Sequence, residues 1–304
     1  SGAGVSILYR LLSPTADWLG LATLAGAAAV AGVASASIAL LLHFYAAQFL
    51  GTTTGLQLIE LSRPDHPLMQ FLLRNAPGTY QHSLQLANLV EQAAERIGAN
   101  GLLARVGALY HDCGKALNPF FFIGNQPPGT LNPHNDIDPH ESAATIIRHV
   151  ADGLELARKY RLPRRLLDFI SEHHGTGLTA YQYARAVETA GDESLVDKEK
   201  FRYPGPRPQS RETALLMLAD GAEARMRAER PKDESALREL ITGIVQSRMD
   251  AGQLADTNLT LRDLQEVIDS FTATLRGVYH PRIQYPPVGS DILTRPTTNT
   301  PSPH

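Results

Sequence analysis

Between Trp18 and Leu50 the chain carries no Lys, Arg, Asp or Glu. Ala, Val, Leu and Ile fill this run, with Gly20, Gly26 and Gly32 spaced among them. A helix needs about 20 apolar residues to cross a bilayer core, so the run is long enough to span. A secretory signal has a shorter apolar stretch and a small-residue cleavage site. The alternative is an Ala-rich core helix, although core helices seldom run this far without a charge. The small residues would let a neighbouring helix approach closely. The chain starts at Ser1 rather than Met, and a lone span is an odd anchor. Residues 1–50 are therefore expected to be the C-terminal transmembrane segment of a longer membrane region. Arg10 and Arg63 lie on opposite sides of the run, so charge does not orient it.

Beyond the run the pattern is helical, with almost no strand alternation. Leu84, Leu86, Leu89, Val90, Ala93 and Ile97 make an apolar stripe on a helix opened by Pro77, and Gly98 to Gly101 forms a turn. A second helix runs from about Leu102 to Asp112. Asp138 and Pro139 read as N-cap and first residue of a helix to about Tyr160. Pro163 opens a helix ending near His174. Ser210 caps one to about Ala228, Asp233 begins one to about Met249, and Thr260 with Asp263 begins the last, ending near Gly277. A proline-rich loop, FRYPGPRPQ, follows Lys200, and Pro, Thr and Ser dominate the tail. The formal net charge of −3 gives no basic excess, so neither DNA nor RNA is expected as a partner. One cysteine, Cys113, excludes an internal disulfide framework.

Eleven histidines carry the chemical signal through their placement. His111-Asp112 and His173-His174 each close a helix. His82 and His149 lie within helices, and Asp220 lies within LLMLADGAEA. Residues three and four apart share a helix face. By that rule Asp220 is backed by Leu216 and Met217, His173 by Phe169 and Ile170, and Asp112 by Ala108 and Leu109. Burying a carboxylate there is costly without a partner, and imidazoles converging with carboxylates in an apolar interior are the makings of a metal site. A single histidine on an apolar face is more often a hydrogen-bonded core residue, and a single buried Asp is often a cap. The adjacent pairs at two helix ends weigh against that for this set. His43, His66, His134, His140, His280 and His304 read as ordinary.

The order His82, His111-Asp112, Asp220 resembles the HD-domain phosphohydrolases, whose HDxGK motif HDCGK matches. The additional His149, His173 and His174 resemble the HD enzymes that hold two metals. APGTYQHS, ARVGALYHDCGK, FFIGNQ, ISEHHGTGL, FRYPGPRPQ, MLADGAEA and GVYHPRIQYP are similar to the membrane-anchored 7TM-HD family, the PgpH-type cyclic-di-AMP phosphodiesterases. The resemblance runs from about Thr52 to Pro286. HD-GYP enzymes, which cleave cyclic-di-GMP, are the rival, but no GYP element follows His173-His174-Gly175-Thr176. The chain departs from the family at Gln81, where a histidine is common, and at Cys113, where the family often carries Ile or Leu. Cys113 fills a core position and, beside metals, is a candidate oxidation site.

The resemblance implies an all-α fold: an HD-domain helical bundle over residues 51–288, preceded by a transmembrane helix and followed by a disordered tail over 289–304. It implies a dimetal phosphodiesterase that opens cyclic-di-AMP to linear pApA. Its two divalent transition metals would be Mn or Fe before Zn, Co or Ni. One would be held by His82, His111, Asp112 and Asp220, the other by Asp112, His149, His173 and His174, with Asp112 bridging. Lys115, three residues after Asp112, is a candidate to neutralise a phosphate oxygen or assist the leaving oxygen. Asn125, Gln126 and Tyr203 are candidates for the substrate cleft, and turn structure is an equal alternative. Residues alone leave adenine against guanine open; the resemblance favours adenine. The expected location is the cell membrane, with contact to lipid through the N-terminal helix and the HD domain in the cytoplasm. The oligomeric state stays open. A nucleotide-binding sensor without turnover is the alternative outside enzymes.

Overall fold

The computed structural model describes residues 18–49, 53–127 and 129–278. Among them are eleven α-helices and no strand; a lone antiparallel bridge joins Leu178 to Arg202. Arg10, His280, most of GVYHPRIQYP and the tail lie outside the described residues, and the same holds for the side chain of His43.

Helix α1 is Trp18–Phe49. Its stretch Trp18–Leu42 has a mean hydropathy of 2.0, and none of it is buried. It is long and apolar enough to cross a membrane, and it is not a core helix of the described fold. A side so apolar and so uncovered fits anchoring in a bilayer.

The bundle follows: α2 (Gly55–Leu61), α3 (Pro67–Asn75), α4 (Pro77–Arg96), α5 (Gly101–Tyr110), α6 (Pro139–Lys159), α7 (Arg164–Glu172), α8 (Ala180–Ala190), α9 (Arg211–Glu229), α10 (Glu234–Asp250) and α11 (Leu261–Val278). Short 3₁₀ turns fill the stretch between Cys113 and Asn135. The expected caps form. Asp138 accepts from the His140 amide at 2.8 Å. Ser210 and Thr213 close a reciprocal capping box, and the Asp233 carboxylate accepts from the Ala236 amide. Each such cap contributes about 1 kcal/mol.

Helix α9 is the axis of the bundle. Ala214 to Ala219 are all buried, so this part is covered on every side. It packs on α4, α5, α7, α10 and α11. Asp220 comes next in sequence, where the buried stretch reaches the site, and its side chain keeps 18% exposure. The hairpin α4–α5 lays Leu86, Leu89, Val90 and Ala93 against this core. A smaller core of Ala143, Ala186, Val196 and Phe201 holds α8 and the following loop against α6.

Two glycines set the approach of the elements that carry the histidines. A Cβ at Gly114 would stand 1.9 Å from the His149 carbonyl oxygen, so the turn after Asp112 lies backbone to backbone on α6. A Cβ at Gly107 would stand 2.3 Å from the Phe169 ring, which brings α5 onto α7.

Candidate metal centre

Five helices, two of them through the residues just past their ends, deliver the seven side chains singled out above. His82 comes from α4, His111 and Asp112 from the end of α5, His149 from α6, His173 and His174 from the end of α7, and Asp220 from α9. Asp112 is fully buried, and its two oxygens face different neighbours. Oδ2 lies 3.2 Å from His111 Nε2 and 3.9 Å from His82 Nε2. Oδ1 lies 3.3 Å from His149 Nε2 and 3.5 Å from His173 Nε2. Asp220 joins the two groups, with Oδ1 3.1 Å from His82 Nε2 and Oδ2 3.9 Å from His174 Nδ1.

Tautomers follow from the outer hydrogen bonds. His111 Nδ1–H donates to the Ala108 carbonyl, His149 Nδ1–H to Ile146 and His173 Nδ1–H to Ile170. Each Nε2 is then a lone pair turned inward. His149 Nε2 and His173 Nε2 stand 3.3 Å apart, and the Asp112 oxygen they share is also an acceptor. The buried atoms His111 Nε2 and Asp112 Oδ1 have no hydrogen-bond partner among the described residues. Acceptors pointed at one another repel, and Lys115 offsets this on the Oδ2 side of Asp112 only. A cation among them turns every one of these contacts favourable, so the donor set fits divalent metal. Two groups of donors close enough to share an ion are present: Asp112, His149, His173 and His174, and His82, His111 and Asp112.

The electrostatics agree. Burial works against the Asp112 charge, but His111 and Lys115 outweigh it and hold the carboxyl well below its usual range. Asp220 is likewise depressed, burial again opposing and His82 prevailing. Burial keeps His149 and His173 neutral against the pull of Asp112, and burial with its two histidine neighbours does so more strongly for His174. His82 goes the other way. Burial lowers its proton affinity, but hydrogen bonds to Asp220 and Glu223 raise its pKa to about 9.

Glu223 was not singled out from the sequence. It is buried on α9, one turn after Asp220. Its Oε2 accepts a hydrogen bond from His82 Nδ1–H at 3.1 Å, and Arg227 closes on it from the next turn. A carboxylate behind a ligating histidine fixes its tautomer and orientation. The spacing DGAEARMR, with acids three apart on one helix face, was the available signal.

A cavity of about 640 Å³ opens over this cluster. Lys115 lines it, with its ammonium 2.5 Å from Asp112 Oδ2 and 5.3 Å above the Phe122 ring. Tyr203 lines it too, but its ring stacks on His174 at 4.2 Å, and burial keeps its hydroxyl neutral. Asn125 and Gln126 stand apart from the cavity lining. The Asn125 side chain bonds the amide and hydroxyl of Thr79, and Gln126 donates to the Phe120 carbonyl. Their amides are engaged in holding the loop. Cys113 is fully buried, and burial beside Asp112 pushes its thiol up to about 12. That removes the thiolate on which oxidation depends, so the expected oxidation site is a core thiol. His134 is a satisfied core histidine, held by Ser142 and the Phe121 carbonyl.

The HD domain family matches residues 79–225. The cyclic-di-AMP phosphodiesterase PgpH of Bacillus subtilis is 42% identical over 258 residues, covering 84% of this chain and 36% of the relative. The protein of the same name from Listeria monocytogenes is 42% identical over 236 residues, covering 78% of this chain and 32% of the relative. The chain thus spans about a third of the length of these curated relatives. A crystal structure of the Listeria monocytogenes phosphodiesterase PgpH HD domain in complex with cyclic-di-AMP superposes with a TM-score of 0.68 at 40% identity. That match covers 71% of this chain and 100% of the solved one. With that identity across the whole of a solved domain, the chain belongs to the HD-domain family, in its PgpH group.

Proposed function

We propose that the chain carries the catalytic domain of a phosphodiesterase that hydrolyses cyclic-di-AMP to linear pApA. Two divalent transition metals, Mn or Fe by their taste for mixed imidazole and carboxylate donors, would sit at the cluster. The observation that carries this reading is Asp112, whose two oxygens face two separate sets of inward imidazole lone pairs. His82, His111, Asp112 and Asp220 would hold one ion, and Asp112, His149, His173 and His174 the other. Bound there, the ions would polarise a water and neutralise charge building on the phosphoryl oxygens.

The chain's own residues do the rest. Glu223, clamped by Arg227, keeps His82 oriented. The Lys115 ammonium at the cavity wall supplies a further positive charge for a phosphoryl oxygen. Phe122 and Ile123 give one side of the cleft an apolar wall. With Asn125 and Gln126 engaged elsewhere, the adenine assignment rests on the PgpH relatives. The domain, over residues 51–288, would face the cytoplasm behind a membrane anchor formed by α1.

The test is chromatographic turnover with Mn or Fe. Cyclic-di-AMP is expected to give pApA with a higher kcat/KM than cyclic-di-GMP under the same metal. Equal or reversed efficiencies remove the adenine assignment, and no turnover of either removes the activity.

A further inference from the structure

A second cavity, about 420 Å³, adjoins the first on the far side of His174, Tyr203 and Asp220. These three residues line both cavities, so the two meet at the metal centre. The second has no role in the mechanism above. Its charged lining is Arg225, Arg248 and Asp220. Asp220 is committed to His82 and His174. Arg225 is paired with Glu229. Arg248 is half-buried in the last turn of α10, and its guanidinium makes no hydrogen bond or ion pair with any described residue.

The guanidinium lies beside two glycines. A Cβ on Gly177 would lie 3.5 Å from its Nη1, and one on Gly221 would lie 3.9 Å from its Nη2. It therefore rests over two bare backbone segments, one next to Asp220 and one three residues past His174. Ser247 adds a hydroxyl to the same wall, whereas the Thr179 hydroxyl is donated to the Phe201 carbonyl. An arginine fork held over a concave site and left without a carboxylate is a receptor for a planar or tetrahedral oxyanion. Phosphate is the oxyanion that the neighbouring centre brings.

We propose that Arg248 binds the phosphodiester of the dinucleotide that is not being cleaved. This rests on the phosphodiesterase reading above. The two phosphates of a cyclic dinucleotide lie on opposite sides of one ribose–phosphate macrocycle. Holding one at the metals turns the other past His174 and Tyr203 into the second cavity. Arg248 thereby selects dinucleotides over substrates with a single phosphate and contributes to binding rather than to the chemical step.

The test compares Arg248→Gln and Arg248→Lys with the wild-type chain on cyclic-di-AMP and on bis(p-nitrophenyl) phosphate, which has one phosphate. For Arg248→Gln the KM for cyclic-di-AMP is expected to rise about 10-fold, the loss of one charged hydrogen-bond partner, with kcat within about threefold. KM for the single-phosphate substrate is expected to shift by less than about threefold. Arg248→Lys keeps the charge and should recover most of the loss. Equal KM changes on both substrates, a fall in kcat alone, or no change overturns the inference. Inhibition by inorganic phosphate separates the sources. If it weakens in Arg248→Gln while KM for cyclic-di-AMP stays put, the site holds free phosphate and the inference fails. Absence of cyclic-di-AMP turnover by the wild-type chain overturns the proposed function itself, before any variant is compared.

Discussion

His82 stands between two acids, with Nε2 3.1 Å from Asp220 and Nδ1 3.1 Å from Glu223. Those hydrogen bonds win over burial and raise its pKa to about 9, against about 6.5 for a free imidazole. In the metal-free protein the His82 proton therefore stabilises the fold fully below about pH 6.5, and that contribution is lost as pH rises through about 9. A cation that takes the Nε2 lone pair has to displace this proton. Burial keeps the neighbouring His149, His173 and His174 neutral, so they have none to give. Loading metal near about pH 7.5 is expected to release about one proton, read by calorimetry in buffers of different ionisation enthalpy. No release contradicts the placement of His82, and His82→Gln should abolish it. The seven convergent side chains were legible because paired titratable residues at helix ends make poor core choices. Glu223 and Arg248 were not, since a single acid and a single arginine on a helix look like solvated residues until the fold sets Glu223 against His82 and Arg248 in the second cavity.

At the scale of elements, the helices with caps and long apolar stripes were legible to within a residue or two. Asp138-Pro139, Ser210 and Asp233 all begin helices where the side-chain chemistry places them. Three helices were not: α2, α3 and α8. Helix α3 begins at Pro67 behind His66, whose ring nitrogen accepts from the Leu68 amide, and histidine is not a usual cap. Helix α8 has no side-chain cap, and only Gly191 beyond its end, in the left-handed region, marks it. Contacts between elements escape sequence reasoning most of all, and Gly114 is the clearest case. Gly114→Ala would push a methyl against the His149 carbonyl, backbone on backbone, and no rotamer relieves it. The expected result is a loss of ~1–3 kcal/mol with weakened metal binding, because the turn carrying Asp112 parts from α6. Thermal melts with metal titration check this; an unchanged Tm and metal affinity would contradict the packing.

For the whole molecule, α1 leaves an apolar surface that the bundle does not cover, and all seven candidate ligands lie beyond it. The full chain is expected to partition into detergent or vesicles, and a chain starting at Thr53 to remain in the aqueous phase with its turnover intact. Aqueous behaviour of the full chain would contradict the anchor. The central claim is that Asp112 joins two cations in one working site. It is tested most directly by elemental analysis of chain reconstituted with Mn or Fe, taken alongside its cyclic-di-AMP turnover. Two metal ions per chain at maximal turnover is the expected result, with Asp112→Ala folded, depleted of both and inactive. Maximal turnover at one ion per chain, or near-normal turnover by Asp112→Ala, would contradict it.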